Sequence, residues 1–446
     1  MGNCYKSNAS EEQISYDKNV VIYIRQESLV SKFMPADKVK FKITNPVNEL
    51  SENLLIGSYK MITTGCIIPG QDPRGEVPKK CQDHFFISSK PEYLFITLFD
   101  GHGSKGEEIV RFAHKFIEEK FLIDNISLTK CDLFLTELFE SCDVAIKSQG
   151  GKINALGSGT TAICLLFVND GIYVASVGDS RAILATIPEV QHIPIKTKSK
   201  NPYKKIFTPS RVLEPIQLTI DQKPNLETEL NRILAAGGIV AKAKDEYGES
   251  YGPYRVFQKG KQIPGLAMSR SLGDMSAKKV GVISTPIIDF YPIISFKDQF
   301  IVVASDGVWD AMDNNEVSNF VETFRRKCLK EPKNIDDENT INPGNSTIAR
   351  LLVEEARYRW FGICSEEDAM IDDISALVIE IHTQELTEHD RGTRTCSRFS
   401  KFTSSYLEVD TSNISSVHHN LARETIISSE MLDETRVELD EDVNDN

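Results

Sequence analysis

The clearest regularity in the chain is a series of short, nearly continuous apolar runs, among them residues 94–99, 161–168, 171–177 and 374–381. Runs of this length read as strands buried on both faces. Similar runs predict strands over 84–88, 181–185 and 300–305. Elsewhere the period changes. Ile109, Ala113, Phe116 and Ile117 fall on one face of a helix predicted over 106–120. Further helices are predicted over 131–147, 226–236, 314–328 and 347–360. Asp170-Gly171, between two apolar runs, predicts a hairpin turn. Strands separated by amphipathic helices imply a layered α/β domain.

The pattern is interrupted in four places. Residues 1–51 are polar with scattered apolar positions and read as an N-terminal extension, with Val20–Ile24 a candidate strand. A domain is expected over 52–383. Inside it, residues 196–211 carry Lys196, Lys198, Lys200, Lys204, Lys205 and Arg211, which read as a solvated loop, and 241–262 are rich in Gly, Lys and Tyr. Residues 384–446 are rich in Ser, Thr, Asp and Glu and are expected to be disordered.

The 446 residues are 40% hydrophobic, enough for one large domain or two ordinary ones. Net charge is −14, which argues against nucleic acid as a main partner. Residues 403–446 hold eleven Asp/Glu and two Arg, so −9 of the −14 lies there. Nine cysteines without a C-x-x-C pair fit reduced cytosolic thiols. No apolar run is long enough to span a membrane, and the first 19 residues are too polar for a secretory signal.

The predicted strands carry carboxylates at their ends: Asp100 after 94–99, Asp179 between 171–177 and 181–185, Asp306 after 300–305, and Asp372-Asp373 before 374–381. A bare charge at the rim of a core is costly, and several would repel one another unless a cation joined them. Oxygen-only ligands favour Mg²⁺ or Mn²⁺.

Asp100-Gly101-His102-Gly103, Ser158-Gly159-Thr160-Thr161-Ala162, Gly178-Asp179-Ser180-Arg181, the run 266–274, Ser305-Asp306-Gly307-Val308-Trp309-Asp310 and Asp372-Asp373-Ile374-Ser375 follow in that order. Together with the stretch 218–224, Arg232-Ile233 and Gly237-Gly238, they resemble the metal-dependent protein serine/threonine phosphatases of type 2C, over roughly residues 52–383. The resemblance implies a central β-sandwich of two sheets flanked by helices on both outer faces, with 241–262 as a flap near the active site. It implies hydrolysis of phosphoserine and phosphothreonine by water held on two Mg²⁺ or Mn²⁺ ions. Asp100 would bridge them, Gly101 would offer its carbonyl, and Asp83, Asp306 and Asp372 would complete the ligation. Asp179 would help hold a third, weaker ion. His102 is the candidate general acid, since imidazole titrates near neutral pH and an alkoxide leaving group needs a proton.

Some positions depart from that pattern. Gln82 stands where a carboxylate is common, and Pro78 where many members carry a phosphate-binding arginine; Lys79 and Lys80 are the candidate substitutes. Asp373 replaces a usual Asn and is expected behind the metal ligands. Arg181 and Arg270 read as internal ion-pair partners, Trp309 as core, and Asp310 as a helix cap or a contact to bound water. These departures motivate an alternative reading, a catalytically weak pseudophosphatase acting as a membrane-tethered binding module.

Met1-Gly2-Asn3-Cys4 reads as an address. Loss of Met1 would expose Gly2 for myristoylation, with Cys4 placed for palmitoylation. Lys6 and Lys18 alone are basic among the first 20 residues, so a single acyl chain would anchor marginally and Cys4 would be needed. The expectation is a monomer at the inner leaflet of a membrane, with a cytosolic pool, acting on phosphoproteins.

Overall fold

The computed structural model describes residues 48–71, 80–150, 153–169, 171–188, 212–245, 247–328, 347–363 and 370–383. Gly2, Cys4, Val20–Ile24, Lys79, the 196–211 insertion and the 384–446 tail lie outside these residues.

The first half runs β1 (Asn48–Ile56), β2 (Tyr59–Ile68), β3 (Asp83–Lys90), β4 (Tyr93–His102), α1 (Gly106–Ile123), α2 (Cys131–Ser148), β5 (Gly159–Thr160), β6 (Ala162–Val168), β7 (Gly171–Val177) and β8 (Arg181–Thr186). The second half runs β9 (Glu214–Gln217), α3 (Glu227–Ala235), β10 (Gly238–Lys244), β11 (Ser250–Gln258), β12 (Pro264–Leu266), β13 (Leu272–Gly273) and α4 (Met275–Lys278). It continues with β14 (Ile287–Pro292), β15 (Asp298–Ala304), α5 (Asp306–Trp309), α6 (Asn314–Cys328), α7 (Ile348–Ile363) and β16 (Ile374–Thr383).

Six strands form one antiparallel sheet in the order β1-β2-β16-β15-β8-β9. A second sheet runs β13-β5-β4-β6-β7-β14, with β3 also paired to β4. Strand β15 shows why its sequence is apolar from Phe300 to Ala304. Ile301 and Val303 face the second sheet, in one cluster with Leu94, Ile96, Leu98, Ile163 and Leu165. Phe300, Val302 and Ala304 face the other way, against Val317 and Val321 of α6 and Leu352 and Ala356 of α7. Over these five residues period-two alternation with both faces buried leaves no polar position. On the far side, α1 and α2 cover Phe95, Phe99, Cys164 and Leu166. The architecture is the expected β-sandwich between two helical layers.

Two local details differ from expectation. Strand β1 begins at Asn48, ahead of the boundary placed at residue 52; it is an edge strand with an alternating, half-exposed pattern, so it gives no apolar run. At the β6–β7 hairpin Val168 pairs with Gly171, so the turn opens at Asn169 (φ +41°) and Gly171 is already in the strand. Its missing side chain serves a close approach: a Cβ there would lie 2.3 Å from the Phe290 ring.

Candidate active site

The aspartates gather at one rim because the two sheets place their strand ends there. Asp83 and Asp100 are direct cross-strand partners on β3 and β4. Asp306 follows β15 as the first residue of α5, and Asp372-Asp373 precede β16, the neighbour of β15. Asp179 sits in the turn between β7 and β8.

The sequence blocks around them act as ties. The Asp100 carbonyl accepts hydrogen bonds from Thr161 N (2.9 Å) and Thr160 Oγ1 (3.0 Å), while Thr161 Oγ1 meets Ser180 Oγ at 2.7 Å. Gln222 Oε1 accepts from Gly178 N at 2.5 Å, and Gly178 O from Gln222 N at 2.9 Å. The Asp373 carboxylate accepts from Gly70 N (2.6 Å) and Gln82 N (2.9 Å), so it fixes backbone beside Asp83, as its expected place behind the ligands requires. Gly101 is packed so closely that a Cβ would lie 2.7 Å from Gln82 O and 2.8 Å from Val110 Cγ2.

Burial and mutual repulsion dominate the electrostatics. Burial first, then Asp373 and Asp372, push the Asp83 carboxyl up to about 8. Burial, then Asp83, Asp306, Asp372 and Asp179, hold Asp100 well above the usual carboxylate range. Asp306 is raised in the same way, by burial and then by Asp179, Asp372 and Asp310. Both carboxylate oxygens of Asp83, and Oδ1 of Asp179 and of Asp306, are buried without a hydrogen-bond partner. Among the described residues no three such side chains stand in ready-made coordination geometry. Buried oxygen atoms that repel one another and lack donors nevertheless fit hard divalent cations. Asp83 and Asp306 carry such oxygens, as does Asp179, whose other oxygen Lys223 holds; Asp100 is grouped with Asp83 and Asp306 by the burial and carboxylate repulsion that raise all three. Asp372 joins them through its field on each, although it is exposed and its Oδ1 accepts from Asp373 N at 2.8 Å.

His102, at the end of β4, lies with Nε2 2.7 Å from Asp274 Oδ2, and its Nδ1 is buried without a partner. Burial alone would lower the imidazole pKa, but the Asp274 carboxylate more than offsets it and the group lies above its ordinary value. Asp274 is 2% exposed, adopts a left-handed conformation (φ 51°, ψ 48°) and also accepts from Ser271 Oγ at 2.7 Å. Asp274 closes the run 266–274, and nothing in the sequence pattern marks it as the partner of His102.

Lys223 was missed likewise. Its Nζ contacts Asp179 Oδ2 at 2.5 Å. Burial opposes its charge, but Asp179 and Asp306 hold the ammonium above its ordinary range. Lys80 is exposed and pairs with Glu107 at 2.5 Å at the start of α1. Gln82 Nε2 donates to Gly103 O at 2.9 Å.

The structural assignments divide. Arg181 is bound bidentately by Asp221 (3.0 and 2.6 Å) and lies over the Trp309 ring, and Arg270 is bound by Glu229, so both are internal ion pairs as expected. Trp309 is core, with Nε1 donating to Ala304 O at 2.9 Å. Asp310 does not cap α6. Asp313 does, accepting from Glu316 N at 2.9 Å while Glu316 Oε2 accepts from Asp313 N, a reciprocal capping box. Asp310 instead faces the acidic cluster, where burial and then Asp179, Asp221 and Asp372 raise its pKa against Lys223.

The comparison with known proteins agrees with this arrangement. Residues 77–356 match the family described as Protein phosphatase 2C. The chain belongs to the protein phosphatase 2C family. It is 29% identical over 308 residues to "Probable protein phosphatase 2C 34" of Arabidopsis thaliana, covering 66% of this chain and 73% of that protein. It is 31% identical over 336 residues to "Probable protein phosphatase 2C 12" of Oryza sativa subsp. japonica, covering 66% and 75%. The fold is shared with a serine-threonine phosphatase 2C from Toxoplasma gondii, with a TM-score of 0.52 at 16% identity over 75% of this chain and 99% of that one.

Proposed function

We propose that the chain removes phosphate from phosphoserine and phosphothreonine in proteins, using two Mg²⁺ or Mn²⁺ ions held by Asp83, Asp100, Asp306, Asp372 and the Gly101 carbonyl. The observation that carries the reading is the meeting of buried, donor-less carboxylates with a histidine whose inward nitrogen is unpaired. When bound, such a pair of ions supplies an acidified water as nucleophile and offsets charge on the phosphoryl oxygens. The chain supplies the rest. Asp274 takes the Nε2 proton of His102 as a hydrogen bond and fixes the ring. Nδ1–H is then the free donor, and it protonates the departing serine or threonine oxygen. Asp179, balanced by Lys223, is the place for a third, weaker ion. Lys80, with Lys79, is the candidate contact for substrate phosphate.

The test is hydrolysis of a phosphoserine peptide by the purified full chain with millimolar Mn²⁺ or Mg²⁺ and with a chelator. Turnover that needs the ion supports the reading. Folded protein with no ion-dependent turnover overturns it in favour of the pseudophosphatase, for which Gln82 in place of a carboxylate is the motivating residue. The proposal includes tethering to an inner membrane leaflet through Gly2 and Cys4. Gly2→Ala expressed in cells should fractionate as soluble and Cys4→Ser as only transiently bound, because one myristoyl chain binds with about 10⁴ M⁻¹. An unmodified N-terminal peptide by mass spectrometry removes the tether.

A further inference from the structure

Beside the catalytic rim, but outside it, lies a cavity of about 840 Å³ between the end of α2, residues 153–156 and α4. Ile146, Ile153 and Met275 give it an apolar lining that continues into the core cluster beneath α1 and α2. Lys147, Lys278 and Lys279 also line it. Lys278 is occupied, 3.3 Å from Asp143 and 2.6 Å from Ser271 O. Asp143 is in turn taken up by Gly273 N at 2.8 Å, so this neighbouring acid does not answer the other two lysines. Lys147 and Lys279 are exposed, and among the described residues no ion pair holds either one. An apolar hollow edged by two uncommitted cations fits a segment that alternates apolar and acidic residues.

The chain carries such a segment. Ile426 and Ile427, then Glu430, Met431 and Leu432, then Asp433 and Glu434 fall within nine residues of a tail whose last 44 positions hold −9 of charge. We propose that this cavity receives residues 426–434 of the same chain, with Ile427, Met431 or Leu432 inside and Glu430, Asp433 or Glu434 against Lys147 and Lys279. Reach is sufficient. Residues 384–425 separate the end of β16 from the segment. Forty-two residues extend to at most ~140 Å, against a radius of gyration of ~20 Å for a domain of this size. The cavity wall also bears on the site. Asp274 N, Met275 N and Ser276 N, at the start of α4, donate to Ser158 O, Ala155 O and Leu156 O at 2.9, 2.8 and 2.9 Å, so one set of backbone hydrogen bonds holds both the cavity and the partner of His102.

Zero-length carbodiimide coupling of the full chain, followed by peptide mass spectrometry, tests this without reference to activity. Coupling of Lys147 or Lys279 to Glu430, Asp433 or Glu434 within one molecule is the expected result. Tail acids coupled evenly over surface lysines, or to the lysines of the 238–266 sheet, overturn it. Couplings found only in cross-linked dimers overturn it in favour of a second copy. Ile427→Ser with Met431→Ser lies outside the described residues and adds no carboxyl and no charge to the tail. It should cut the specific coupling at least about fivefold, the effect of losing roughly 1 kcal/mol of apolar anchoring. An unchanged yield means charge attraction alone and overturns docking in the cavity.

Discussion

His102 Nε2 and Asp274 Oδ2 stand 2.7 Å apart although 172 residues separate them in sequence. The pair spends one nitrogen on orientation and leaves the other facing inward with no partner. His102→Gln should therefore slow hydrolysis of a phosphoserine peptide by about 10²–10⁴-fold, the range for a lost general acid. An aryl phosphate, whose leaving group hardly needs the proton, should suffer much less. Equal losses on both substrates assign His102 to structure instead.

The same pair sets a pH dependence. The acid works only while protonated, so turnover of alkyl phosphoesters holds below the folded pKa of His102 and falls as pH rises through it. Asp274 raises that pKa against the effect of burial. Asp274→Asn leaves burial in charge, and the decline should begin at lower pH. A pH–rate profile unmoved by the substitution assigns the proton to another group.

How far the sequence disclosed this site depends on distance along the chain. Asp100, Asp179, Asp306 and Asp372 were legible because each borders an apolar run, and the edges of strands from both sheets come together at one rim. His102 was readable beside Asp100. Asp274 and Lys223 were not, because their roles arise only when distant segments close, and Asp274 further needs a left-handed backbone that its neighbours do not announce. The runs that predict β4, β6, β7, β15 and β16 show because continuous burial leaves a mark, while the edge strand β1 and the small sheet β10–β12 alternate with polar residues, and β2, although buried, holds Lys60, Thr63, Thr64 and Gly65 and gives no such run. Of the two alternatives for Asp310 the helix cap falls, because Asp313, three residues on, owns the capping box.

The raised carboxyls link ion binding to stability. A carboxyl with a raised folded pKa keeps its proton where the unfolded chain has lost it, so stability falls as pH rises between the two values. For Asp83 that window runs from 3.8 to about 8. Ions that bind the deprotonated cluster reverse the loss. Thermal unfolding with saturating Mn²⁺ or Mg²⁺ should show a stabilisation of about 2.7 kcal/mol at a hundredfold excess over Kd, larger near pH 8 than near pH 5. A shift independent of pH contradicts the link. Asp306→Ala should abolish most of the shift and cost roughly 10²-fold or more in rate.

Lys223 occupies space and charge that a further ion at Asp179 would contest. An ammonium and a divalent ion about 4 Å apart repel by several kcal/mol at an effective dielectric near 20. Lys223→Gln should thus tighten divalent-ion binding at Asp179 by at least about tenfold in calorimetry. Unchanged or weaker binding would mean that Asp179 holds no ion.

Glu229 anchors α3 to the segment that leads to Asp274. It is 2% exposed and takes Arg232 (2.8 and 2.7 Å), Arg270 and the Ser269 hydroxyl (2.5 Å). Arg232 also reaches Gly281 O at 2.8 Å and Arg270 reaches Thr285 O at 2.9 Å, so one carboxylate organises four stretches of chain. Burial opposes its charge, but Arg270, Arg232 and Ser269 prevail and hold it at about 2. A depressed folded pKa stabilises above the unfolded value of 4.5 and loses that contribution as pH falls towards about 2. Glu229→Gln keeps the shape and leaves two guanidinium groups without their countercharge, so it should cost about 3 kcal/mol in urea unfolding near neutral pH. The gap between wild type and variant should narrow as the medium is taken from about pH 6 to about pH 3.5, because protonation removes in the wild type what the amide lacks already. A gap below about 1 kcal/mol, or one that does not change with pH, would show that the arginines find other partners and that the cluster is not held by charge.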